Sequence, residues 1–291
     1  MSLDHPAVIT CAISGSLADR RHCEAIPYTP EEYAAEARRI VDEGGVHIHI
    51  HARRPDGAPS YEVEDFRAIT DAIKGEIGDA AIVNFSTGAI GVPVAKRIEY
   101  LRAVRPEVAA VNMGSMNYAK YSTRRRDFVF QTVFLNPFDE IVELLAALRS
   151  LGIKPEHECF DLGHVGSLAP LLDMRALEPP LHVDFVMGVL GGVPPTARNL
   201  AAMADNLPEG DHHWGVIGIS RVQWPLVAAA LSLGGSVRVG LEDNFHLPDG
   251  SVARSNGDLI AVARRMVEDS GRRPATVDEA RALIGLAQHV R

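Results

Sequence analysis

Residues 46 to 51 read Val46-His47-Ile48-His49-Ile50-His51, so apolar and imidazole side chains alternate with a period of two. This alternation predicts a β-strand that carries the three histidines on one face. Residues two apart on a strand are separated by roughly 6.5–7 Å, so the rings of His49 and His51 can converge on one ion. His47 lies deeper on the same face, and we interpret it as a core histidine or one that supports the ligands.

Short β-rich runs alternate with helical patterns on both sides of this stretch. Strands are predicted at residues 8–14, 46–51, 81–86, 108–113, 156–161, 182–188, 215–220 and 237–242. Helices are predicted at residues 30–43, 63–77, 93–104, 137–151, 165–177, 196–206, 225–233 and 256–269. Eight β/α pairs in 291 residues predict an α/β fold, a (β/α)8 TIM barrel. The even spacing favours this closed form over a doubly wound open sheet.

Two segments lie outside this alternation. An extra C-terminal helix is predicted over residues 276–288, where Thr276-Val277-Asp278-Glu279 matches a capping box. Residues 117–136 are long for a β/α loop, and such a loop either covers the active site or serves packing or a subunit contact. Because no linker or low-complexity segment is visible, we predict a single TIM-barrel domain over residues 1–291.

Composition argues against several function classes. The net charge of −9 argues against nucleic acid as the main partner. No run of about 18 uninterrupted apolar residues occurs, so we expect no transmembrane helix and no membrane partner. Three cysteines without a CxxC pair argue against a thiolate zinc site and fit a reducing compartment. Residues 1–6 do not resemble a signal peptide, so a cytoplasmic location is expected.

The last predicted strand carries a second group of candidate site residues, in Arg238-Val239-Gly240-Leu241-Glu242-Asp243. Arg238 and Glu242 share the face that would point into the barrel, where an unpaired charge is costly. A cation beside Glu242 and an anion beside Arg238 would remove that cost, and a mutual ion pair is the alternative. With His49 and His51, Glu242 would form a catalytic zinc site with an open position, and the same ligands suit iron(II).

Chemistry at a carbon beside a carbonyl needs a base and donors for the developing negative charge. Asp243 is placed to act as the base, and Ser86, Arg238 and the amides near Thr87 and Gly88 are candidate donors. Further substrate-binding residues are predicted beyond other strands, namely Thr87, Gly88, Ser115, Asn117, Gly191 and Gly192. The glycine-rich run at 188–192 suits an anionic oxygen bound by backbone amides, or an ordinary tight turn.

Other histidines have weaker signals. His212 and His213 lack ligand spacing, and we expect them, like the histidines at positions 5, 22, 246 and 289, to lie on the surface or in loops. His164 and His182 are candidates for positions near the barrel mouth.

Several motifs resemble those of the β-keto acid cleavage enzymes. They are His49-Ile50-His51-Ala52-Arg53 with Asp56-Gly57 and Pro59-Ser60, Phe85-Ser86-Thr87-Gly88, Asn112-Met113-Gly114-Ser115-Met116-Asn117, and Arg238-Val239-Gly240-Leu241-Glu242-Asp243-Asn244. They follow the same order over nearly the whole chain. The resemblance implies a TIM barrel, Zn²⁺ bound by His49, His51 and Glu242, and a homotetramer.

The resemblance also implies a reaction, in which a β-keto acid and acetyl-CoA give acetoacetate and a new acyl-CoA. Asp243 would remove a proton from the carbon between the keto and carboxylate groups. The resulting enolate would attack acetyl-CoA, and CoA transfer and retro-Claisen cleavage would follow. Arg238 and Ser86 match positions that activate Asp243 and orient the substrate, and Ser115 stands where the best-known member has threonine.

One departure from the family bears on the substrate. The best-known member has a glutamate after its first strand that contacts a substrate amine, whereas this chain has Ser14-Gly15-Ser16-Leu17. Arg124-Arg125-Arg126 in the long loop also looks specific to this chain. Together these features predict a substrate with an anionic or neutral side chain.

Two other functions stay open as alternatives. A metal-dependent hydrolase of the amidohydrolase type also uses an HxH strand, although usually the first strand, with further histidines and a strand-eight aspartate. A catalytically silent metal-binding barrel would need no free base, so the presence of Asp243 with Ser86 and Arg238 argues against it.

Overall fold

Eight parallel strands close into a barrel in the computed structural model, which describes residues 2–286. The described strands are β1 (Ile9–Ala12), β2 (His47–Ile50), β3 (Ile82–Ser86), β4 (Val108–Asn112), β5 (Met116–Ser122), β6 (Asp127–Phe134), β7 (Lys154–Cys159), β8 (His182–Met187), β9 (His213–Gly218) and β10 (Ser236–Val239). The barrel order is β1-β10-β9-β8-β7-β4-β3-β2, and β1 closes it by pairing with both β10 and β2. The predicted TIM barrel is confirmed, while one domain for residues 1–291 stays a prediction.

Helices follow the barrel strands along the chain. They are α1 (Pro30–Asp42), α2 (Val63–Ile77), α3 (Val94–Val104), α4 (Phe138–Leu151), α5 (Leu162–Gly166), α6 (Leu168–Asp173), α7 (Ala197–Asp205), α8 (Gln223–Ser232), α9 (Asn256–Asp269) and α10 (Val277–Ile284). The single helix predicted at 165–177 is wrong, because two short helices, α5 and α6, occupy residues 162–173. Pro170 has no N–H to continue the α5 hydrogen bonds and is tolerated only in the first turn of a new helix.

On most barrel strands the polar side chains turn inward and the alternating apolar side chains turn outward, although Val186 and Ile217 also face the cavity. Phe85 on β3 shows the outward direction, since its ring lies 4.7 Å from that of Phe66 on α2. Its neighbours Asn84 and Ser86 therefore face the barrel interior, because successive side chains alternate across a strand. The same alternation brings His47 and His49 inward, which leaves the interior of the barrel unusually polar.

Helix α10 confirms the predicted extra helix and closes the amino-terminal end of the barrel. Thr276 accepts a hydrogen bond from the amide of Glu279, and the Glu279 carboxylate accepts from the amide of Thr276, as in a capping box. Ala280 and Ile284 of this helix pack with the first residues of the strands, Val8 and Ile82 among them. Residues 287–288 of the predicted helix lie outside the described part of the chain.

The long segment at 117–136 is a β-hairpin rather than an irregular loop, which corrects the prediction. β5 and β6 pair antiparallel from Met116–Phe134 to Ser122–Asp127, with an irregularity between Lys120 and Tyr121. The segment is rich in aromatic and β-branched residues, which favour extended backbone once a partner strand is present. No helix within residues 2–286 has the length and apolar character needed to cross a membrane.

Candidate active site

A cavity of about 660 Å³ opens at the carboxyl-terminal end of the barrel. Its floor includes residues at or just beyond strand ends, such as Ser86, Glu158 and Arg238. The β5–β6 hairpin forms part of its wall through Tyr118 and Phe134. Of the two explanations for the long segment, the structure therefore favours a cover over the active site.

The three predicted metal ligands meet in this region. His49 lies on β2 and His51 directly follows it, with their ring centroids 5.4 Å apart. Glu242 lies beyond β10 and faces both histidines, with 3.7 Å from Oε2 to Nε2 of His49 and 3.4 Å from Oε1 to Nε2 of His51. All three ligand atoms lie within 4.8 Å of one another.

These side chains fit a divalent cation. His49 is 1% exposed, and neither of its ring nitrogens has a hydrogen-bond partner among the described residues. Oε2 of Glu242 is also buried and has no such partner there. Buried polar atoms without partners are costly, and an ion between His49 and Glu242 would satisfy them. Two imidazoles and one carboxylate are a donor set that zinc prefers.

Arg238 lies among three carboxylates next to this group. Its Nη1 is 3.0 Å from Oε1 of Glu158, its Nη2 is 2.9 Å from Oε1 of Glu242, and its Nε is 3.0 Å from Oδ2 of Asp243. The ion pair between Arg238 and Glu242 thus forms, while Glu242 still faces the histidines. Arg238 also fixes the carboxylate of Asp243 through a second hydrogen bond of 3.2 Å from Nη2 to Oδ1.

Burial and charge set the protonation of these groups. Burial raises the pKa of Asp243 to about 7, with Glu242 adding to the increase and Arg238 opposing it. Burial also favours the neutral form of Glu242, but Arg238 and His51 outweigh it and hold its pKa well below the usual range. Burial and the charge of Arg238 lower the pKa of His49, which keeps its nitrogen lone pairs available. A carboxyl group that titrates near neutrality is suited to accept a proton.

The predicted substrate-binding residues after β3 divide into two groups. Ser86 and Gly88 line the cavity, and the Ser86 hydroxyl accepts a hydrogen bond of 3.2 Å from the Gly88 amide. Thr87 is buried, and its hydroxyl donates to the carbonyl of Ala110 on the neighbouring strand. Thr87 is absent from the described cavity lining, so its contact with a substrate stays a prediction.

Ser115, Asn117 and Gly191 brace the hairpin, whereas Gly192 packs against Phe160. The Ser115 hydroxyl accepts a hydrogen bond of 2.7 Å from the amide of Asn136 at the hairpin's end. Gly191 has φ of +112°, and a Cβ there would lie 1.7 Å from the carbonyl oxygen of Asn117. These contacts favour packing of the glycine turn against the hairpin. A substrate-binding role for the four residues stays a prediction.

Several residues of the cavity carry signals that the sequence analysis did not use. Glu158 lies on β7, and the structure makes it a partner of Arg238. His22 and His246, expected on the surface or in loops, line the cavity. The expectation was wrong for His213, which is on a strand and 2% exposed, whereas His212 is buried but lies in the loop before β9. His213 begins β9, and an interior histidine of this kind has no signal beyond the strand pattern.

Comparison with known proteins decides between the alternatives. A family model described as beta-keto acid cleavage enzyme matches residues 6–286. The chain belongs to this family. The β-keto acid cleavage enzymes account for the order of the motifs, and the comparisons give no support to the hydrolase of amidohydrolase type.

Relatives with assigned activities align with nearly the whole chain of this member of the β-keto acid cleavage enzyme family. The chain is 35% identical to 3-keto-5-aminohexanoate cleavage enzyme of Fusobacterium nucleatum, over 96% of this chain and 97% of the relative. It is 33% identical to 3,5-dioxohexanoate:acetyl-CoA acetone transferase of Paraburkholderia graminis, over 98% and 97% of the two chains. The structure of ObcA has a TM-score of 0.73 at 20% identity, covering 91% of this chain and 66% of that one, and supports the fold.

Proposed function

We propose that the protein cleaves a β-keto acid with acetyl-CoA, producing acetoacetate and a new acyl-CoA, and requires a divalent cation, zinc by preference. The observation that carries the proposal is the meeting of His49, His51 and Glu242 with the Arg238–Asp243 pair at one cavity. The names of the relatives, which include a β-keto acid cleavage enzyme and an acetyl-CoA-dependent transferase, support the same reaction class.

The side chains divide the chemistry among them. His49, His51 and Glu242 would hold the cation, which supplies a Lewis acid for a substrate carbonyl when bound. Asp243 accepts the proton from the carbon between the keto and carboxylate groups, since its pKa of about 7 suits a base near neutral pH. Arg238 holds Asp243 in place through two hydrogen bonds and offers positive charge to the substrate carboxylate.

Ser86 is proposed as a donor to the developing negative charge. It ends β3 at the cavity, and its hydroxyl accepts from the Gly88 amide but donates to none of the described residues, so it can donate to a substrate. Donors fixed by a strand end and a tight turn need little rearrangement during the reaction, which is the condition for electrostatic stabilisation.

The charges around the cavity support a substrate whose side chain is not cationic. The carboxylates in the described lining are Glu158, Glu242 and Asp243, and all three are paired with Arg238. A substrate ammonium group would therefore find no carboxylate free to pair with it in that lining. Ser16 and Leu17, from the stretch where the best-known family member has glutamate, lie in the wall instead.

The basic residues of the hairpin contribute unequally to this preference. Lys120 lines the cavity, so an anionic or neutral side chain is compatible with the wall. Arg124, Arg125 and Arg126 lie in the exposed turn between β5 and β6 and are absent from the described lining. The substrate preference therefore rests on the paired carboxylates and on Lys120.

We also propose a homo-oligomer, a tetramer by family resemblance, located in the cytoplasm. The hairpin exposes large apolar side chains, with Phe128 and Val129 41% and 47% exposed and Val133 52% exposed. Large apolar side chains exposed together on one hairpin are typical of a subunit contact. The three cysteines are buried and free, which fits a reducing compartment.

The reaction is tested by measuring acyl-CoA and acetoacetate formed from acetyl-CoA and β-keto acids with cationic, neutral and anionic side chains. Asp243→Asn and Glu242→Gln should each reduce turnover by about 100-fold or more, because each removes a group required for proton transfer or cation binding. Glu64→Gln, at an exposed position in the first turn of α2, is the matched control and should retain activity.

Two results would contradict the proposal. If zinc-loaded wild-type protein forms no product that depends on acetyl-CoA, the reaction class is wrong. If cationic β-keto acids are strongly preferred, the reaction class stands but the substrate assignment fails.

A further inference from the structure

A layer of buried polar side chains lies inside the barrel beneath the cavity. This inner polar layer consists of Asn84, Glu156, His182 and Asp184, which are between 0% and 4% exposed. It is absent from the described cavity lining, so it is not placed to touch a substrate. Its contact with the candidate active site is made by Glu156, which faces His49.

His49 has a carboxylate on each side of its ring. Nε2 lies 3.7 Å from Oε2 of Glu242, and Nδ1 lies 3.8 Å from Oε2 of Glu156. Both distances exceed a hydrogen bond, and both nitrogens are buried without hydrogen-bond partners among the described residues. A cation would engage Nε2 on the Glu242 side. Glu156 would then be the acceptor facing Nδ1.

Glu156 is held firmly in this position. It lies on β7, and the side-chain amide of Asn84 on β3 donates a hydrogen bond to its Oε2. His182 and Asp184 on β8 place ligand atoms within 4.8 Å of the Glu156 carboxylate on another side. Groups that are fixed by packed strands position a neighbouring ligand more accurately than groups on loops.

We propose that Glu156 is a positioning residue for cation binding by His49. Its carboxylate accepts the proton of Nδ1 and so fixes the ring tautomer in which Nε2 presents a lone pair toward Glu242 and His51. Histidine ligands are commonly oriented by a carboxylate in this way. The inference rests on the proposed metal-dependent function. The competing explanation is that Glu156 only balances charge in the barrel interior.

The test measures zinc affinity by competition with a chromophoric chelator, using full-length metal-free protein. Glu156→Gln removes the carboxylate, while Glu156→Asp keeps the charge but shortens the side chain by one methylene. Both substitutions should weaken zinc binding, because the ring of His49 loses its orientation. The larger of the two losses should be about 10- to 100-fold. Glu107→Gln is the matched control, since it removes an ion-paired carboxylate at the other end of the barrel, where Glu107 pairs with Lys74 and Arg281 and contacts neither His49 nor the inner polar layer. Its affinity should stay within about twofold of wild type.

Thermal unfolding of the metal-free variants separates positioning from folding. If Glu156→Gln does not fold, Glu156→Asp carries the test, because it retains the buried charge. Wild-type affinity in Glu156→Asp, or equal losses in Glu156→Asp and Glu107→Gln, would overturn the positioning role alone. If wild-type protein binds no zinc, the proposed metal-dependent function fails together with this inference.

Discussion

Replacing Arg238 with methionine should leave the buried carboxylates of Glu158 and Asp243 and the partly buried one of Glu242 without their shared cation. The guanidinium contacts Glu158, Glu242 and Asp243 at 2.9–3.0 Å and is 3% exposed. Breaking a buried pair by removing one partner costs about 3–5 kcal/mol, because an uncompensated charge stays inside the protein. Contacts that share one side chain are not additive, so we expect about this total loss for metal-free protein near neutral pH.

The loss should shrink as the pH falls. Burial already raises the pKa of Asp243 to about 7 in the wild type, far above its ordinary value, and removal of Arg238 raises it further. A carboxyl group with a raised folded pKa binds more protons in the folded than in the unfolded state. Its contribution to stability is therefore lost as the pH rises from the unfolded pKa through the folded pKa. The variant should be least stable relative to wild type above about pH 7 and recover toward about pH 5.

Arg272 offers a matched control for burial and hydrogen bonding. It is 7% exposed and donates to backbone carbonyls, at 2.6 Å to that of Gly235 and 3.0 Å to that of His5. Arg272→Met should also destabilise the protein, but its loss should change little between about pH 5 and pH 8, since carbonyl groups do not titrate.

The assay is thermal unfolding of chelator-treated wild type, Arg238→Met and Arg272→Met at several pH values. For a chain of this size, each kcal/mol lowers Tm by about 2–4 °C. If Arg238→Met loses less than about 1 kcal/mol, or loses the same amount at every pH, the three carboxylates do not depend on Arg238 as argued.

Three further predictions concern the surroundings of the site. Arg53→Met should lower Tm and raise KM. The reason is that the Arg53 guanidinium donates to four backbone carbonyls, three of them in the cavity segment at 14–18. Unchanged Tm and KM would contradict this prediction. Gly15→Ala should weaken zinc binding about tenfold or more in chelator competition, since the new Cβ would lie 2.6 Å from Cγ of Glu242. Glu107→Gln should cost about 1–3 kcal/mol in denaturant unfolding. Burial raises the pKa of Glu107, but Lys74 and Arg281 lower it overall, so this loss should be present above about pH 5 and vanish in acid.

The sequence predicted the parts of the site that depend on one strand at a time. Period-two alternation was sufficient to bring His49 and His51 onto one face, and it also turned Arg238 inward. The β-hairpin was missed because residues 117–136 become strands only by pairing with each other. His213 was misjudged because an isolated histidine has the same local pattern whether its strand faces the barrel interior or solvent.

Sequence alone therefore determined the alternation of strands and helices, the capping of α10, and the order of the chemistry-bearing motifs. These features depend on neighbours close along the chain, where side-chain period and capping chemistry act directly. Only the tertiary structure decided that Arg238 binds Glu158, 80 residues away, and that Glu156 faces His49. Closure of the barrel brings those strands together. The local sequence pattern does not show which inward-facing side chains lie at the same level along the barrel axis.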